Sequence, residues 1–166
     1  MNTESLKSIA KNIKLLILDC DGVLTDGTIY VTPEGGEMIA FNVLDGLGIE
    51  YLQESGIKIA VISGRNNPAV QHRLKKLKIE HVFLGKHEKT DAFESLINTL
   101  NLQPEQIAYV GDDFLDIPVM LKVGLPITVP DAIESVKAIA KMCTQKKGGK
   151  GAVREVCDFI YDAQNS

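Results

Sequence analysis

Four short runs in this chain are almost wholly apolar and stop abruptly at polar residues. Lys14 to Leu18 (KLLIL) ends in Asp19-Cys20-Asp21-Gly22, and Ile57 to Ile62 (IKIAVI) ends in Ser63-Gly64-Arg65. His81 to Leu84 (HVFL) leads toward Lys89, and Ile107 to Val110 (IAYV) ends in Gly111-Asp112-Asp113. Runs of this length without polar alternation read as strands covered on both faces, the pattern of a parallel sheet rather than a half-exposed antiparallel one. Helical stripes separate them. One lies around Ile49 and Leu52 and stops at Gly56. A second opens at Asn67-Pro68 and carries Val70, Leu74 and Leu77. A third spans Lys89 to Leu100 with Phe93, Leu96, Ile97 and Leu100 on one side. Further helices are predicted near 115–122, 132–140 and 153–163, with a short strand near 126–129. Alternating strands and helices give an α/β fold, a doubly wound parallel sheet. Thr28 to Thr32 and Glu37 to Val43 flank Pro33-Glu34-Gly35-Gly36, so a β-hairpin flap is expected over 28–43 as an excursion after the first strand.

The 166 residues suit one domain, 1–166, and 45% hydrophobic with 24% charged residues suits a folded globular chain. No apolar run approaches the ~20 residues of a membrane span. The N-terminal segment is polar and lacks a signal-peptide core. The expectation is a cytoplasmic protein with no membrane partner. Cys20, Cys143 and Cys157 are far apart and form no CxxC pair, which argues against a disulfide framework. The three histidines have neither thiolate nor HExxH company, which argues against structural zinc. A net charge of −4 and the absence of Trp argue against nucleic acid. Against that acidic average, residues 135–154 carry Lys137, Lys141, Lys146, Lys147, Lys150 and Arg154 with no acid. This basic, Gly-rich tail (145–166 with its helix) reads either as a solvated face or as a site for an anionic ligand.

In open α/β sheets ligands bind beyond the carboxyl ends of the strands. Asp19, Asp21, Ser63, Asp112 and Asp113 all stand where an apolar strand stops, on one edge of one sheet. Several carboxylates in a small space need a cation, and hard oxygen donors without His or Cys point to Mg²⁺. Mg²⁺ favours phosphate-bearing substrates. A lysine and the Ser63 hydroxyl would meet further phosphate oxygens, and a spare carboxylate would attack phosphorus to form an aspartyl-phosphate. The residues alone do not choose between Lys86 and Lys89.

Asp19-Cys20-Asp21-Gly22-Val23-Leu24-Thr25-Asp26-Gly27 resembles the first motif of the haloacid-dehalogenase-like phosphatases. Ser63-Gly64-Arg65 resembles their second motif, Lys89 the third, and Gly111-Asp112-Asp113-Phe114-Leu115-Asp116 the fourth. Within that superfamily the chain is similar to the small capless 3-deoxy-D-manno-octulosonate 8-phosphate phosphatases. The similarity runs over about residues 12–163 and includes Phe41-Asn42-Val43, Asp45-Gly46 and the stretch Gly148 to Glu155. One position departs from it: an Arg commonly precedes the Asp-Gly pair there, and Leu44 stands here.

The resemblance implies roles. Asp19 would be nucleophile and metal ligand. Asp21 would be general acid and base, with its main-chain carbonyl on the metal. Asp112 would be the second carboxylate ligand, Asp113 would reach the metal through water or orient Lys89, and Asp116 would lie outside the ligand set, holding the loop or the lysine. Ser63, Gly64, Arg65 and Lys89 would bind phosphate, and Arg154 the substrate carboxylate. Asp45-Gly46 reads from the residues as a helix start, while the resemblance would have it face the site from a loop; Asp26 would fix the base of the hairpin. The implied activity is Mg²⁺-dependent hydrolysis of a small phosphorylated sugar acid on the way to lipopolysaccharide. The implied assembly is a homotetramer in which a flexible Gly148–Gly151 segment brings Lys147, Lys150 and Arg154 to a neighbour's site. Two alternatives stay open: a phosphatase of sialic-type 9-phosphate sugar acids, and a phospho-accepting receiver-like signalling domain.

Overall fold

The structure, a computed structural model, describes residues 3–166. In chain order, α1 (Thr3–Ala10) leads into β1 (Leu15–Leu18), a ribbon of β2 (Tyr30–Val31) and β3 (Glu37–Met38), then α2 (Val43–Glu54) and β4 (Lys58–Ile62). Next come α3 (Pro68–Lys76), β5 (His81–Phe83), α4 (Lys89–Leu100), β6 (Ile107–Val110) and α5 (Ile117–Met120). The chain closes with β7 (Leu125–Thr128), α6 (Glu134–Ile139), β8 (Met142–Cys143) and α7 (Ala152–Gln164). Six strands form one parallel sheet in the order β5-β4-β1-β6-β7-β8. The order reverses at β1: the chain moves outward through β4 and β5, then returns to β6 and leaves on the other side. The crevice between the carboxyl ends of β1 and β6 is therefore the topological switch point of the sheet.

Both faces of the sheet are covered. The helices α1, α2 and α7 pack together on one face, and α4, α5 and α6 lie in contact on the other. The four residues of β1, and those of β6 and β7, are buried throughout. The stripe Val153, Val156, Cys157, Ile160 and Ala163 seats α7; each large apolar side chain so buried contributes about 1.5–3 kcal/mol. Local chemistry sets the helix starts. The Asn42 carboxamide accepts from Leu44 N at 2.8 Å to begin α2, and Asn67 accepts from Ala69 N at 2.8 Å before Pro68 opens α3. The three thiols are free.

The strands and most helices fall where the apolar runs put them. The hairpin is much smaller than the run 28–43 suggests. Only two residues pair on each side, Tyr30 with Met38 and Val31 with Glu37, and all four are exposed. An isolated ribbon gains little from burial, and the chain must leave it early so that Asn42 can cap α2. Asp45-Gly46 is likewise helical rather than a site-facing loop. Asp45 is buried in the first turn of α2, where its Oδ1 accepts from Arg154 N at 2.8 Å and so caps α7 from a neighbouring element.

The tail is not a tether. Gly149 N donates to Val23 O at 3.0 Å, and a Cβ on Gly148 would stand 1.7 Å from Gly22 O. The Gly148-Gly149 backbone is wedged against the turn that follows β1, and only residues without side chains fit there. Gly148→Ala must push these two backbones apart. The expected cost is roughly 1–3 kcal/mol or more, read as a lower urea midpoint at unchanged slope, with lowered activity although the residue is remote in sequence.

Candidate active site

The turn after β1 is built to present carboxylates. Asp19 N donates to Val110 O at 3.0 Å, continuing the ladder with β6, and Thr25 N closes the turn on Cys20 O at 3.0 Å. Inside it Asp21 (φ −71°, ψ 127°) and Gly22 (φ 80°, ψ −10°) have the dihedrals of a type II turn, whose second central residue needs positive φ. Gly22 is required for space as well, since a Cβ there would fall 2.0 Å from Asp112 Oδ2. The Thr25 hydroxyl oxygen accepts from Gly22 N at 3.3 Å and from Gly27 N at 3.2 Å, fixing the far side of the turn.

At its centre lies a buried ion cluster. Lys89 is the first residue of α4 and only 2% exposed; its Nζ is 2.8 Å from Asp19 Oδ1 and 2.7 Å from Asp116 Oδ1. Burial alone would lower the Lys89 pKa, but the Asp19 and Asp116 charges outweigh it and hold it raised. Asp116 is fully occupied. Its Oδ1 also accepts from the Tyr109 hydroxyl at 2.6 Å, and its Oδ2 accepts from Asp112 N at 3.0 Å and Asp113 N at 3.1 Å. Burial pushes the Tyr109 phenol well above its ordinary pKa, so it stays a donor. Burial and then the Asp116 charge push Asp19 up to about 6, against the pull of Lys89. Burial, then the charges of Asp19, Asp116 and Asp113, push Asp112 up to about 8.

These residues suit a hard divalent cation. Asp19, Asp112 and Asp116 offer oxygens within 4.8 Å of one another. Asp116 has four donors already, so Asp19 and Asp112 are the carboxylates left for a metal. Asp112 Oδ1 is buried with no hydrogen-bond partner, an arrangement costly for a carboxylate unless a cation meets it. An all-oxygen donor set matches Mg²⁺.

Around the cluster opens a cavity of about 990 Å³, lined by Asp21, Ser63, Gly64, Arg65 and Lys89 among others. Ser63 is buried at the end of β4, with its N donating to Phe83 O at 2.9 Å and its Oγ accepting from Arg65 N at 3.2 Å. Arg65 crosses the cavity: its Nε is 2.7 Å from Asp21 Oδ2 and its Nη1 3.3 Å from Glu37 Oε2. Asp26 lines the same cavity, accepts from Thr28 N at 3.0 Å and pairs with Lys150 at 3.1 Å. The structure separates the two lysines that the residues alone left open, since Lys86 is exposed and outside the cavity lining. Asp113 stands at the rim, where its Oδ1 accepts from Phe114 N at 2.7 Å; it does not touch Lys89.

Arg154 is not brought to this cavity. It lies on α7, where the i, i+4 spacing pairs its Nε with Asp158 at 2.8 Å and sets its guanidinium over the Tyr51 ring. Tyr109 and Glu37 were not singled out by the sequence. Tyr109 reads as one more apolar residue of β6, although a lone polar tip in an otherwise aliphatic buried strand asks for a partner. Glu37 sits in a hairpin whose fold over Arg65 no local pattern reports.

Comparison with known proteins follows the same outline. A family model described as haloacid dehalogenase-like hydrolase matches residues 47–124. The chain is 49% identical over 156 residues to a 3-deoxy-D-manno-octulosonate 8-phosphate phosphatase of Yersinia pestis, covering 94% of this chain and 83% of that one. It is 49% identical to the phosphatase of that name from Escherichia coli K12, over 93% of this chain and 82% of that one. A crystal structure of the Yersinia pestis phosphatase superposes with a TM-score of 0.96 at 47% identity, over 98% of this chain and 88% of that one. So does that of the Moraxella catarrhalis phosphatase in complex with magnesium ion, phosphate ion and KDO, with a TM-score of 0.96 at 41% identity, over 99% of this chain and 94% of that one.

Removing Lys89 leaves two buried carboxylates facing each other. Lys89→Ala should cost about 3–5 kcal/mol of stability, and Tyr109→Phe about 1.5–3 kcal/mol by taking one donor from Asp116. Lys86→Ala should leave the urea midpoint unchanged. Equal midpoints for Lys89→Ala and Lys86→Ala would refute the assigned cluster.

Proposed function

This chain belongs to the haloacid dehalogenase-like hydrolases, and from that premise we propose that it is the phosphatase that hydrolyses 3-deoxy-D-manno-octulosonate 8-phosphate to the free sugar acid and phosphate. The observation that carries the reading is the switch-point cluster. Asp19 is held by Lys89 beside an unpartnered Asp112 oxygen, at the mouth of a cavity roomy enough for a phosphosugar. The enzyme is a phosphoric monoester hydrolase of lipopolysaccharide biosynthesis and uses Mg²⁺.

In this reading an Asp19 carboxylate oxygen attacks phosphorus, and the phosphoryl oxygens meet the Ser63 hydroxyl, the Gly64 and Arg65 segment and the Lys89 ammonium. Asp21 gives a proton to the departing sugar oxygen, so a P–O bond to the sugar breaks as a P–O bond to Asp19 forms. Asp21 then takes a proton from water, whose oxygen attacks the phospho-aspartate, releasing phosphate and restoring Asp19. Asp19, Asp112 and the Asp21 main-chain carbonyl would hold Mg²⁺, which supplies positive charge against the phosphoryl oxygens. Asp116 and Asp113 do not ligate; Asp116 fixes Lys89. The substrate carboxylate falls to the tail, where Lys150 and Lys147 stand at the rim on Asp26 and Asp131.

A homotetramer in the cytoplasm belongs to the same reading. The exposed side chains Tyr30, Val31 and Met38 of the ribbon and Val43, Leu44 and Leu47 of α2 support a further chain covering this side. No helix among the described residues is long and apolar enough to cross a membrane.

Purified protein with Mg²⁺ should prefer 3-deoxy-D-manno-octulosonate 8-phosphate over nine-carbon sugar acid 9-phosphates and neutral sugar phosphates in kcat/KM. A preference for the nine-carbon acids would move the substrate assignment to them. Asp19→Asn should lose ~10⁴ or more in kcat, and a tenth of wild-type turnover in that variant would sink the covalent mechanism. Chelation by EDTA should abolish turnover and Mg²⁺ restore it; full turnover in protein shown metal-free by elemental analysis would overturn the metal assignment.

A further inference from the structure

We propose that Glu37, on the hairpin strand β3, is a positioning residue for Asp21 and acts through Arg65. The proposal rests on the phosphatase reading above and adds to it a residue outside all four motifs. Glu37 Oε2 takes two donors, Asn67 Nδ2 at 2.6 Å and Arg65 Nη1 at 3.3 Å. Asn67 is itself fixed, because its Oδ1 caps α3 through Ala69 N at 2.8 Å. Glu37 is thus pinned to the start of α3 and in turn pins one end of the Arg65 guanidinium. The other end, Nε, reaches Asp21 Oδ2 at 2.7 Å. Among the described residues, Asp21 Oδ1 has no protein partner, and Asp21, Arg65, Asn67 and Glu37 all line the cavity. The Arg65–Glu37 pair is also the only ion pair, among the described residues, that ties the ribbon to the loop after β4.

The geometry gives Glu37 a definite effect. A guanidinium prefers to grip a carboxylate with two parallel N–H bonds. With Nη1 pinned by Glu37, the guanidinium is held in an orientation in which Nε alone reaches Asp21 while the parallel N–H on Nη2 does not, leaving Oδ1 for the leaving-group oxygen and, later, for water. Without Glu37 the guanidinium is free to turn and take both Asp21 oxygens, which removes the oxygen that moves the proton. Help from a proton donor matters most where the leaving group is a basic alkoxide, as in a sugar phosphate, and least where it is a stable phenolate.

The test is the leaving-group dependence of Glu37→Ala and Glu37→Gln, in the full chain with Mg²⁺, on a primary alkyl phosphate and on p-nitrophenyl phosphate. Glu37→Ala should lower kcat on the alkyl phosphate about tenfold or more and on the aryl phosphate by less than about threefold, with KM nearly unchanged on both. Glu37→Gln keeps an acceptor for Arg65 and should recover most of the loss. Equal losses on the two substrates would mark Glu37 as merely structural and overturn the proposal, as would no loss on either. Wild-type protein that cleaves both model phosphates but not the sugar acid phosphate overturns the substrate assignment alone. Wild-type protein inactive on every phosphomonoester overturns both.

Discussion

Lys89 carries its charge where almost none of the residue meets water, and an ion left uncompensated in such a place costs several kcal/mol. The surroundings follow from that constraint. Asp19 and Asp116 must both face the ammonium, so α4 has to begin under the ends of β1 and β6. Asp116 must be satisfied in its turn, which takes the Tyr109 hydroxyl and the backbone N–H groups of Asp112 and Asp113. The loop after β6 is shaped around that carboxylate, and it is this shape that leaves Asp112 close against Gly22 with one oxygen unpartnered. One ammonium does not neutralise three carboxylates, and the excess is what gives the place its appetite for a cation.

The sheet topology converts this into a reaction site. Neighbouring strands that carry the chain away in opposite directions leave a crevice that no crossover covers. Asp19 ends one of those strands and Asp112 follows the other, so the proposed nucleophile and the carboxylates offered to a metal meet there because of the order of the strands. Ser63 arrives one strand further out, at the end of β4. The groups proposed to meet phosphate therefore come from the end of β4 and the start of α4, while those proposed to hold the metal come from the ends of β1 and β6. Asp19 belongs to the second set and would reach the first through its attack on phosphorus.

Much of this was legible in the residues, for physical reasons that can be named. A parallel strand buried on both faces has no choice but to be apolar, so β1, β4 and β6 announce themselves, and the polar residues that end them announce the site. The departures are also instructive. The ribbon is shorter than its β-forming residues suggest because its four paired residues are exposed and bury little, and α2 needs Asn42 as its cap. Asp45 reads from the residues as part of a helix start, which it is, but nothing local tells that its carboxylate also caps α7, a tertiary contact more than a hundred residues apart in sequence. Arg154 reads as a free cation but answers Asp158 one helical turn away. Tyr109 was silent because its partner Asp116 is brought back to it only by the fold of the loop after β6, and Glu37 because its partners lie across the cavity. Short-range pattern carries the periodicity of an element but not the identity of whatever that element meets.

The wedge of Gly148 and Gly149 against the turn after β1 bears on the order in which the molecule comes into being. Synthesis delivers Asp19 and Asp21 well before the two glycines. Until they arrive, the Gly22 to Asp26 backbone lacks the surface it rests on, and Val23 O lacks its donor. This contact joins segments far apart in sequence, the kind of closure that tends to be slow. A nascent chain can thus pair its central strands while its most reactive carboxylates are still unfixed. The turn after β1 takes its final shape only once Gly148 and Gly149 lie against it.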